Sequence, residues 1–337
     1  MNESILSTRK VDINFNPGSE PIVLRIEGKN IGSLKNFIGL TGLPKNGKGK
    51  YAGGMIASAL SRDEVFGMRL RLPESRQRIG WFATDESEHD LFKSIQLVKS
   101  LSRSNCNGLD IFNVRRDGSS EIRQGITEYL NIYTDCSMIL IDNIGDLLIN
   151  YNDEGQSKRL INDMKRWTDQ HNILIVAILH LGKGNNTTLG HLGAGLDRYA
   201  QSILRVERDK EKNCYTLTGN MLRSAAEFTP IDIMFDPGSD TWKQIYHDPT
   251  PATKLKPIIA RPQELNNQEH RANLIRIFNS KEVQKYDLLL SNIKLFYERG
   301  SAWGKDCIKH LTQSQIIIQD DDGFRLSNPG QTKLSLV

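Results

Sequence analysis

Long apolar runs alternate with amphipathic segments along the first 180 residues of the chain. Continuous apolar runs predict strands that are buried on both faces, at residues 36–41, 78–84, 137–141 and 172–179, with a shorter strand at 109–114. Apolar residues at helical spacing predict helices at residues 51–60, 87–101, 119–133 and 158–168. Because strands alternate with helices, the pattern predicts an α/β fold with a mainly parallel sheet flanked by helices.

The pattern changes after residue 179. Residues 182–195 are rich in Gly, Asn and Thr, which predicts a loop. Three shorter apolar segments predict consecutive strands of antiparallel type, at residues 202–207, 213–218 and 231–235. Prolines 249, 251, 257 and 262 then predict a linker.

We therefore expect a large α/β domain at 1–247, a Pro-rich linker at 248–266 and a small domain at 267–337. The small domain has three apolar-periodic stretches, and two short apolar segments separated by an acidic turn at 319–323 follow them. Three helices followed by a hairpin is the order of a winged-helix domain. We expect its helix at about 301–312 to offer Lys305, Lys309 and His310 to DNA. The alternative is a winged helix that binds protein, since the wing turn is acidic.

Composition narrows the class of protein. Of 337 residues, 38% are hydrophobic and 25% are charged, which is typical of a soluble globular protein. No apolar run is long enough for a membrane span, and the N-terminus does not resemble a secretory leader. The four scattered cysteines favour neither a disulfide scaffold nor a metal site, so we expect a reducing, cytoplasmic setting. The net charge of +4 permits nucleic-acid binding without predicting it.

A glycine-rich segment between the first predicted strand and helix carries the strongest functional signal. Residues 42–49 read Gly-Leu-Pro-Lys-Asn-Gly-Lys-Gly, which is a phosphate-binding P-loop except that Gly49 replaces the usual Ser or Thr. Backbone N–H groups of such a loop bind phosphate oxygens, and its lysine reaches the β- and γ-phosphates. The alternative is an ordinary Gly-rich turn, but a strand before the loop and a helix after it favour the P-loop. The predicted nucleotide-binding residues are Gly42, Pro44, Lys45, Asn46, Gly47, Lys48, Gly49 and Lys50.

Acidic residues follow two of the predicted strands. Asp142 ends a strong apolar strand, where P-loop ATPases place the acid that holds Mg²⁺. The alternatives are an Asp that caps the next turn, or Asp146 in the same role. Asp85 and Glu86 follow another strand, where a carboxylate can activate water for hydrolysis. Asp85 is our prediction for the base, with a solvated acidic helix start as the alternative.

Three further positions are candidates for a role at the same site. His180 ends a fourth strand, and we predict that it senses the γ-phosphate, with a structural histidine as the alternative. Lys183 lies in the following loop, where it contacts nucleic acid or a neighbouring subunit, or is merely solvated. Arg223 is an ordinary surface arginine unless the protein forms a ring, in which case it can stabilise phosphoryl charge in a neighbouring subunit.

Together these segments resemble the RecA/DnaB-like hexameric ATPases. They are most similar to the AAA family proteins related to plasmid RepA helicases of bacterial mobile elements. The resemblance covers roughly residues 20–236 and rests on the segments 36–49, 82–87, 139–143, 180–184 and 190–193. It implies an ATPase core that assembles into a ring and acts on DNA. It assigns Lys48 to phosphate, Asp142 to Mg²⁺, Asp85 to the catalytic acid, His180 to sensing and Arg223 to the finger in trans.

The expected function is therefore an ATP-binding and ATP-hydrolysing protein, with ATP and Mg²⁺ as its cofactors. The expected partners are further copies of the chain in a hexamer, single-stranded DNA at the core and double-stranded DNA at the winged helix, without a membrane. Gly49 and the short acid Asp85 depart from the family pattern, which predicts slow hydrolysis. The alternatives are an ATP-dependent DNA-binding adaptor or regulator with little hydrolysis, and a small-molecule kinase, for which no acceptor pocket or lid is evident.

Overall fold

The computed structural model describes residues 10–182, 190–245, 261–278, 283–297 and 300–327. The chain divides into two units, Met1–Tyr246 and His247–Val337. We call them the large unit and the small unit.

Strands and helices alternate through the first two thirds of the large unit. Its strands are β1 Ile22–Ile26, β2 Lys29–Ser33, β3 Asn36–Gly42, β4 Met68–Leu70, β5 Arg78–Ala83, β6 Leu109–Asn113, β7 Cys136–Asp142, β8 Leu174–His180, β9 Ser202–Asp209, β10 Cys214–Leu222, β11 Ile231–Asp236 and β12 Thr241–Ile245. Its helices are α1 Lys48–Ser61, α2 Glu88–Ser102, α3 Ser119–Ile132, α4 Glu154–His171 and α5 Gly190–Tyr199.

Nine of these strands form one mixed sheet in the order β12-β11-β10-β9-β3-β8-β7-β5-β6. The six strands from β9 to β6 run parallel, and β10, β11 and β12 extend the sheet in antiparallel fashion. Strands β1, β2 and β4 form a separate antiparallel sheet. The predicted α/β class with a mainly parallel sheet is confirmed, and so is the antiparallel character of the later strands.

Burial on both faces explains the continuous apolar runs. In β7, Met138 and Leu140 face the hydrophobic cluster of α1 and α2, whereas Ile139 and Ile141 face the cluster of α3, α4 and α5. Strand β8 divides its side chains between the same two clusters. Because side chains alternate along a strand, Asp142 continues the row of Met138 and Leu140. The sequence thus directs Asp142 towards the face that carries α1.

Several elements differ from the prediction. Residues 182–195 were expected to form a loop, but α5 begins at Gly190 and buries Leu192 and Leu196. Leu192 and Leu196 have the spacing of one helix face, but the many glycines of the segment favoured a loop prediction. Strands β2, β4 and β12 were not predicted, since they are short and two of them are only partly buried. Lys183 lies outside the described residues.

A tyrosine joins helix α1 to the antiparallel extension of the sheet. The Tyr51 side chain is fully buried. Its hydroxyl lies 2.7 Å from the carbonyl oxygen of Tyr215 in β10 and 2.6 Å from that of Ile231 in β11, and can donate to either. This contact holds the helix that follows the glycine-rich loop against strands that come about 164 residues later in the chain.

The small unit contains three helices followed by a hairpin. They are α6 Asn267–Phe278, α7 Tyr286–Tyr297, α8 Ser301–Gln313, β13 Ile317–Asp320 and β14 Gly323–Leu326. Residues of all three helices and of the hairpin share one hydrophobic core. A single antiparallel bridge joins Gln284, between α6 and α7, to Phe324 in the hairpin.

Most of the predicted linker 248–266 falls outside the described residues. Its described end, residues 261–266, belongs to the small unit, where Pro262–Glu264 forms one turn of 3-10 helix. The carbonyl oxygen of Pro262 lies 2.8 Å from Nε2 of His270, which is fully buried. The described end of the predicted linker, which includes Pro262, is therefore folded.

None of the helices in the described ranges has both the length and the apolar character that a bilayer-spanning segment needs.

We expect Tyr51→Phe to lower the free energy of unfolding by about 1–3 kcal/mol, because it removes a buried hydrogen bond and leaves its carbonyl acceptor without that donor. Urea unfolding followed by circular dichroism measures the change. Tyr151→Phe is the matched control, since that side chain is 41% exposed and should be neutral. Equal stability of the two variants would mean that the Tyr51 hydroxyl does not join α1 to the sheet extension.

Candidate nucleotide-binding site

Four parallel strands end side by side at one edge of the large sheet. Gly42 of β3 lies opposite His180 of β8, and Asp142 of β7 lies opposite Ile178 of β8. Ala83, the last residue of β5, lies opposite Asp142. Residues that follow these strands are therefore brought together at the carboxyl edge, where ligands of parallel sheets bind.

The glycine-rich loop turns from β3 into α1 with a backbone that its sequence permits. Gly47 precedes the helix with a φ of +85°, and Lys45 also has a positive φ of +65°. A Cβ atom at Gly47 would lie 2.4 Å from the ring of Tyr215, and one at Gly42 would lie 2.4 Å from the carbonyl oxygen of Val206. Both positions thus require glycine for reasons of space, and Gly47 also for its conformation.

Lys48 is the first residue of α1 and its side chain is buried. Its ammonium group donates to the carbonyl oxygens of Gly42 and Leu43, both at 3.0 Å. Burial lowers the pKa of Lys48 to about 8, although the carboxylates of Asp142 and Asp85 partly counteract this. The ammonium group is therefore held inside the loop, where an incoming phosphate would meet it.

Gly49 leaves open space in front of Asp142. A Cβ atom built at Gly49 would have Asp142 Oδ2, at 4.0 Å, as its only neighbour within that distance. Burial, reinforced by Asp85 and Glu86, raises the pKa of Asp142 to about 8, while Lys48 opposes the shift. The space accommodates a serine side chain, so nothing steric accounts for the glycine.

The two neighbouring acids after β5 have different surroundings. Asp85 is exposed, and its Oδ2 lies 3.6 Å from Nε2 of His180. Glu86 is half-buried and accepts a hydrogen bond from Ser94 at 2.9 Å, while its other carboxylate oxygen is buried without a partner among the described residues. Burial raises the pKa of Glu86. Both acids line the cavity.

His180 and Asp146 complete the polar edge. Nδ1 of His180 is buried and has no hydrogen-bond partner among the described residues. Asp146, which was the weaker alternative to Asp142, accepts a hydrogen bond of 2.5 Å from the Thr84 hydroxyl. Thr84 also accepts a hydrogen bond from the backbone N–H of Asn143 at 2.6 Å. Asp146 is thus committed to a link between β5 and the turn after β7.

One cavity of about 540 Å³ is lined by residues of the glycine-rich loop and of the strand ends. This volume is suited to a small-molecule ligand. Four lysines and four carboxylates line it, together with Gly47, Gly49, Ser94, Leu97, His180 and Trp242; they are Lys45, Lys48, Lys50, Lys93, Asp85, Glu86, Asp90 and Asp142. Pro44 and Asn46 belong to the loop without lining the cavity.

The aromatic residues Trp242 and Tyr215 were not predicted for this site. Lys50 Nζ lies 4.5 Å from the ring centroid of Trp242 and 5.3 Å from that of Tyr215. These rings come from β12 and β10, in the antiparallel extension. The signal that could have found them is the Pro-Gly turn at residues 237–238 followed by an aromatic residue in a strand-forming context.

Arg223 lies near the amino ends of the parallel strands, at the opposite end of the sheet from the cavity. It follows Leu222, which is paired with Ser202, and Ser202 is paired with Ile38 near the start of β3. Four residues of β3 separate this level from Gly42, which is about 13 Å at 3.3 Å per residue. Arg223 therefore does not join the cavity of its own chain, and its guanidinium donates to the carbonyl oxygen of Arg198 at 3.0 Å.

Asp142 is the residue of the cavity that could hold a divalent cation. Within the described ranges, no group of three or more His, Cys, Asp or Glu side chains is arranged to hold a metal. Mg²⁺ characteristically binds one or two carboxylates together with substrate phosphates. Asp142 could be such a carboxylate beside the glycine-rich loop, and a cation there would offset the repulsion that Asp142 experiences from Asp85 and Glu86.

No protein-family model and no curated protein matches the chain. The function must therefore be inferred from the geometry of the cavity itself.

We expect Gly47→Ala to destabilise the protein by about 1–3 kcal/mol and to weaken nucleotide binding, since the added methyl group requires a left-handed backbone and displaces Tyr215. Gly49→Ala is the matched control. It lies in the first turn of α1 with free space around it, so its stability should be unchanged or raised by up to about 1 kcal/mol. Urea unfolding compares the two variants, and similar losses in both would contradict the geometry of the loop.

We expect Asp142→Asn to stabilise the unliganded protein at pH 8 more than at pH 5. Because the pKa of Asp142 is raised from 3.8 to about 8, the folded state keeps a proton that the unfolded state loses. The stability of the native protein therefore falls as the pH rises between these two pKa values, whereas the asparagine side chain does not titrate there. Urea midpoints in EDTA should show a gain of about 1–3 kcal/mol at pH 8. A gain in stability that is the same at both pH values would contradict the raised pKa of Asp142.

Proposed function

We propose that this chain is an ATP-binding, RecA-like P-loop ATPase that acts on DNA as a ring-shaped homo-oligomer. The observation that carries the proposal is the convergence of Lys48, Asp142, Asp85 and His180 on one cavity, beside a loop that only glycine can form at Gly47. These residues come from four strand ends distant in sequence. An ordinary Gly-rich turn gives no reason for such a convergence.

The residues have distinct roles in the proposed reaction. The loop backbone and Lys48 would bind the phosphates, and Asp142 would hold Mg²⁺, which supplies charge neutralisation to the phosphate oxygens. Water attacks the γ-phosphorus, the bond to the β,γ-bridging oxygen breaks, and ADP and phosphate leave. A carboxylate of Asp85 or Glu86 takes the proton of the water. His180, the last residue of β8, lies with its Nε2 3.6 Å from Oδ2 of Asp85 and is suited to sense the γ-phosphate.

The position of Arg223 supports an oligomer in which one subunit completes the site of the next. An arginine at the amino edge of the sheet cannot serve the carboxyl edge of its own chain, but a head-to-tail neighbour can bring the two edges together. A ring of six and single-stranded DNA at its core are carried over from the resemblance to RecA/DnaB-like ATPases. So is a role in replication or mobilisation of a bacterial mobile element, in the cytoplasm.

The small unit supports a winged-helix assignment. Its order of three helices and a hairpin fits, and the bridge between Gln284 and Phe324 adds the short third strand that such domains have between their first two helices. Lys305 and Lys309 are exposed on α8, whereas Nε2 of His310 is buried. We infer that double-stranded DNA would meet the two lysines and not His310.

Gly49 favours a second candidate, an ATP-dependent DNA-binding adaptor or regulator with little hydrolysis. The missing hydroxyl would otherwise bind Mg²⁺, and the exposed Asp85 is one methylene group shorter than the usual glutamate. In this case ATP binding would control assembly without driving unwinding.

Nucleotide binding and turnover with and without single-stranded DNA separate the two candidates. For the ATPase, we expect slow hydrolysis that DNA accelerates, and a gain of about tenfold to a hundredfold in Gly49→Ser, which repositions Mg²⁺. Lys48→Met should lose binding and serves as the negative control. ATP binding with no turnover in either the native protein or Gly49→Ser would favour the regulator, and no ATP binding at all would refute both.

A further inference from the structure

Lys50 is a cation in an unfavourable place. It is half-buried in the first turn of α1, where the helix dipole is positive. Its ammonium group lies over the rings of Trp242 and Tyr215, and no carboxylate among the described residues is within ion-pairing distance. The guanidinium of Arg208 lies over the Tyr215 ring as well, at 5.3 Å. A second positive charge is thus held near Lys50.

The electrostatics agree with this geometry. Burial and the charge of Arg208 lower the pKa of Lys50, and only Glu86 counteracts them. Stacking on aromatic rings contributes on the order of 1–2 kcal/mol for a partly desolvated cation, and does not replace a counter-ion. A lysine that served only to pack the rings would have no need to direct its charge into the cavity. An anion in the cavity would relieve the repulsion.

The neighbouring residue shows which anion this would be. Lys50 follows Gly49, the position at which the hydroxyl for Mg²⁺ is missing, and both residues line the same cavity as Lys48. An ammonium group next to the phosphates supplies positive charge and hydrogen-bond donors that need no metal. The loop thus lacks the hydroxyl that usually binds Mg²⁺ and has an additional cation beside the same position.

We propose that Lys50 is a second phosphate-binding lysine that allows the site to hold the polyphosphate of a nucleotide without Mg²⁺. This proposal rests on the proposed function, since it assumes that the cavity binds ATP. Mg²⁺ would then be needed for hydrolysis but not for binding. On binding, the ammonium group moves from the two rings to the phosphate oxygens, and Trp242 loses its cation.

The test is titration with a fluorescent ATP analogue in EDTA and in MgCl₂. We expect the native protein to bind in EDTA within about fivefold of its affinity in MgCl₂. Lys50→Met keeps the apolar stem and should weaken binding in EDTA by about 10- to 100-fold, the value of a charge-assisted hydrogen bond, with less than about threefold loss in MgCl₂. Lys50→Arg should retain binding in EDTA. Lys99→Met, an exposed lysine of α2, is the matched control.

The outcomes distinguish this proposal from the proposed function. Binding in MgCl₂ but not in EDTA would overturn the role of Lys50 and leave the ATPase proposal standing. Equal binding by Lys50→Met and the native protein in EDTA would reduce Lys50 to a packing residue. No binding in either buffer would refute the proposed function itself.

A second measurement needs no variant and applies even if Lys50→Met does not fold. Amine acetylation of the native protein, followed by mass spectrometry, reports the reactivity of each lysine. We expect ATP in EDTA to slow acetylation of Lys50 several-fold and to leave Lys99 unchanged. An unchanged rate at Lys50 under conditions where ATP is bound would overturn the proposal.

Discussion

The parallel register of β3, β8, β7 and β5 determines where the polar residues of the site lie. The middle of each strand is buried and largely apolar, and the candidate site residues lie at its carboxyl end or just after it. Because the strands are paired in register, those ends fall at one edge. A shift of one residue in β7 would turn Asp142 to the other face of the sheet, away from α1 and Lys48. The chemistry of the cavity thus depends on backbone pairing more than on any single side chain.

Charge is concentrated at this edge beyond what the folded chain needs for its own stability. Buried lysines and carboxylates have pKa values that shift towards their neutral forms, which means that both kinds of group lose solvation there. Unpaired polar atoms at Glu86 and His180 add to this cost. Such arrangements are characteristic of sites that bind charged ligands. A polyphosphate and a divalent cation would compensate the two signs of charge together.

The sequence predicts the elements that have strong periodicity and misses those that depend on the assembled fold. Strands β7 and β8 are evident because burial on both faces makes them continuously apolar, and Asp142 and His180 follow at their ends. Strand β12 is short and half-exposed, so Trp242 was missed. The end of the sheet at which Arg223 lies could not be predicted, since it depends on the direction in which β10 runs. The difference in burial between Asp85 and Glu86 could not be predicted either, since it depends on the packing of α2 and the hydrogen bond from Ser94 to Glu86.

The contact of Tyr215 with Gly47 and Tyr51 has a consequence for the order of folding. One wall of the glycine-rich loop is supplied by β10, and the helix after the loop is held by carbonyl groups of β10 and β11. These contacts span some 164 residues, so their loop-closure entropy must be overcome before the loop acquires its final surroundings. The earliest sequence motif is therefore among the last parts of the large unit to mature. A nascent chain that has not yet produced β10 carries the motif without its supporting wall.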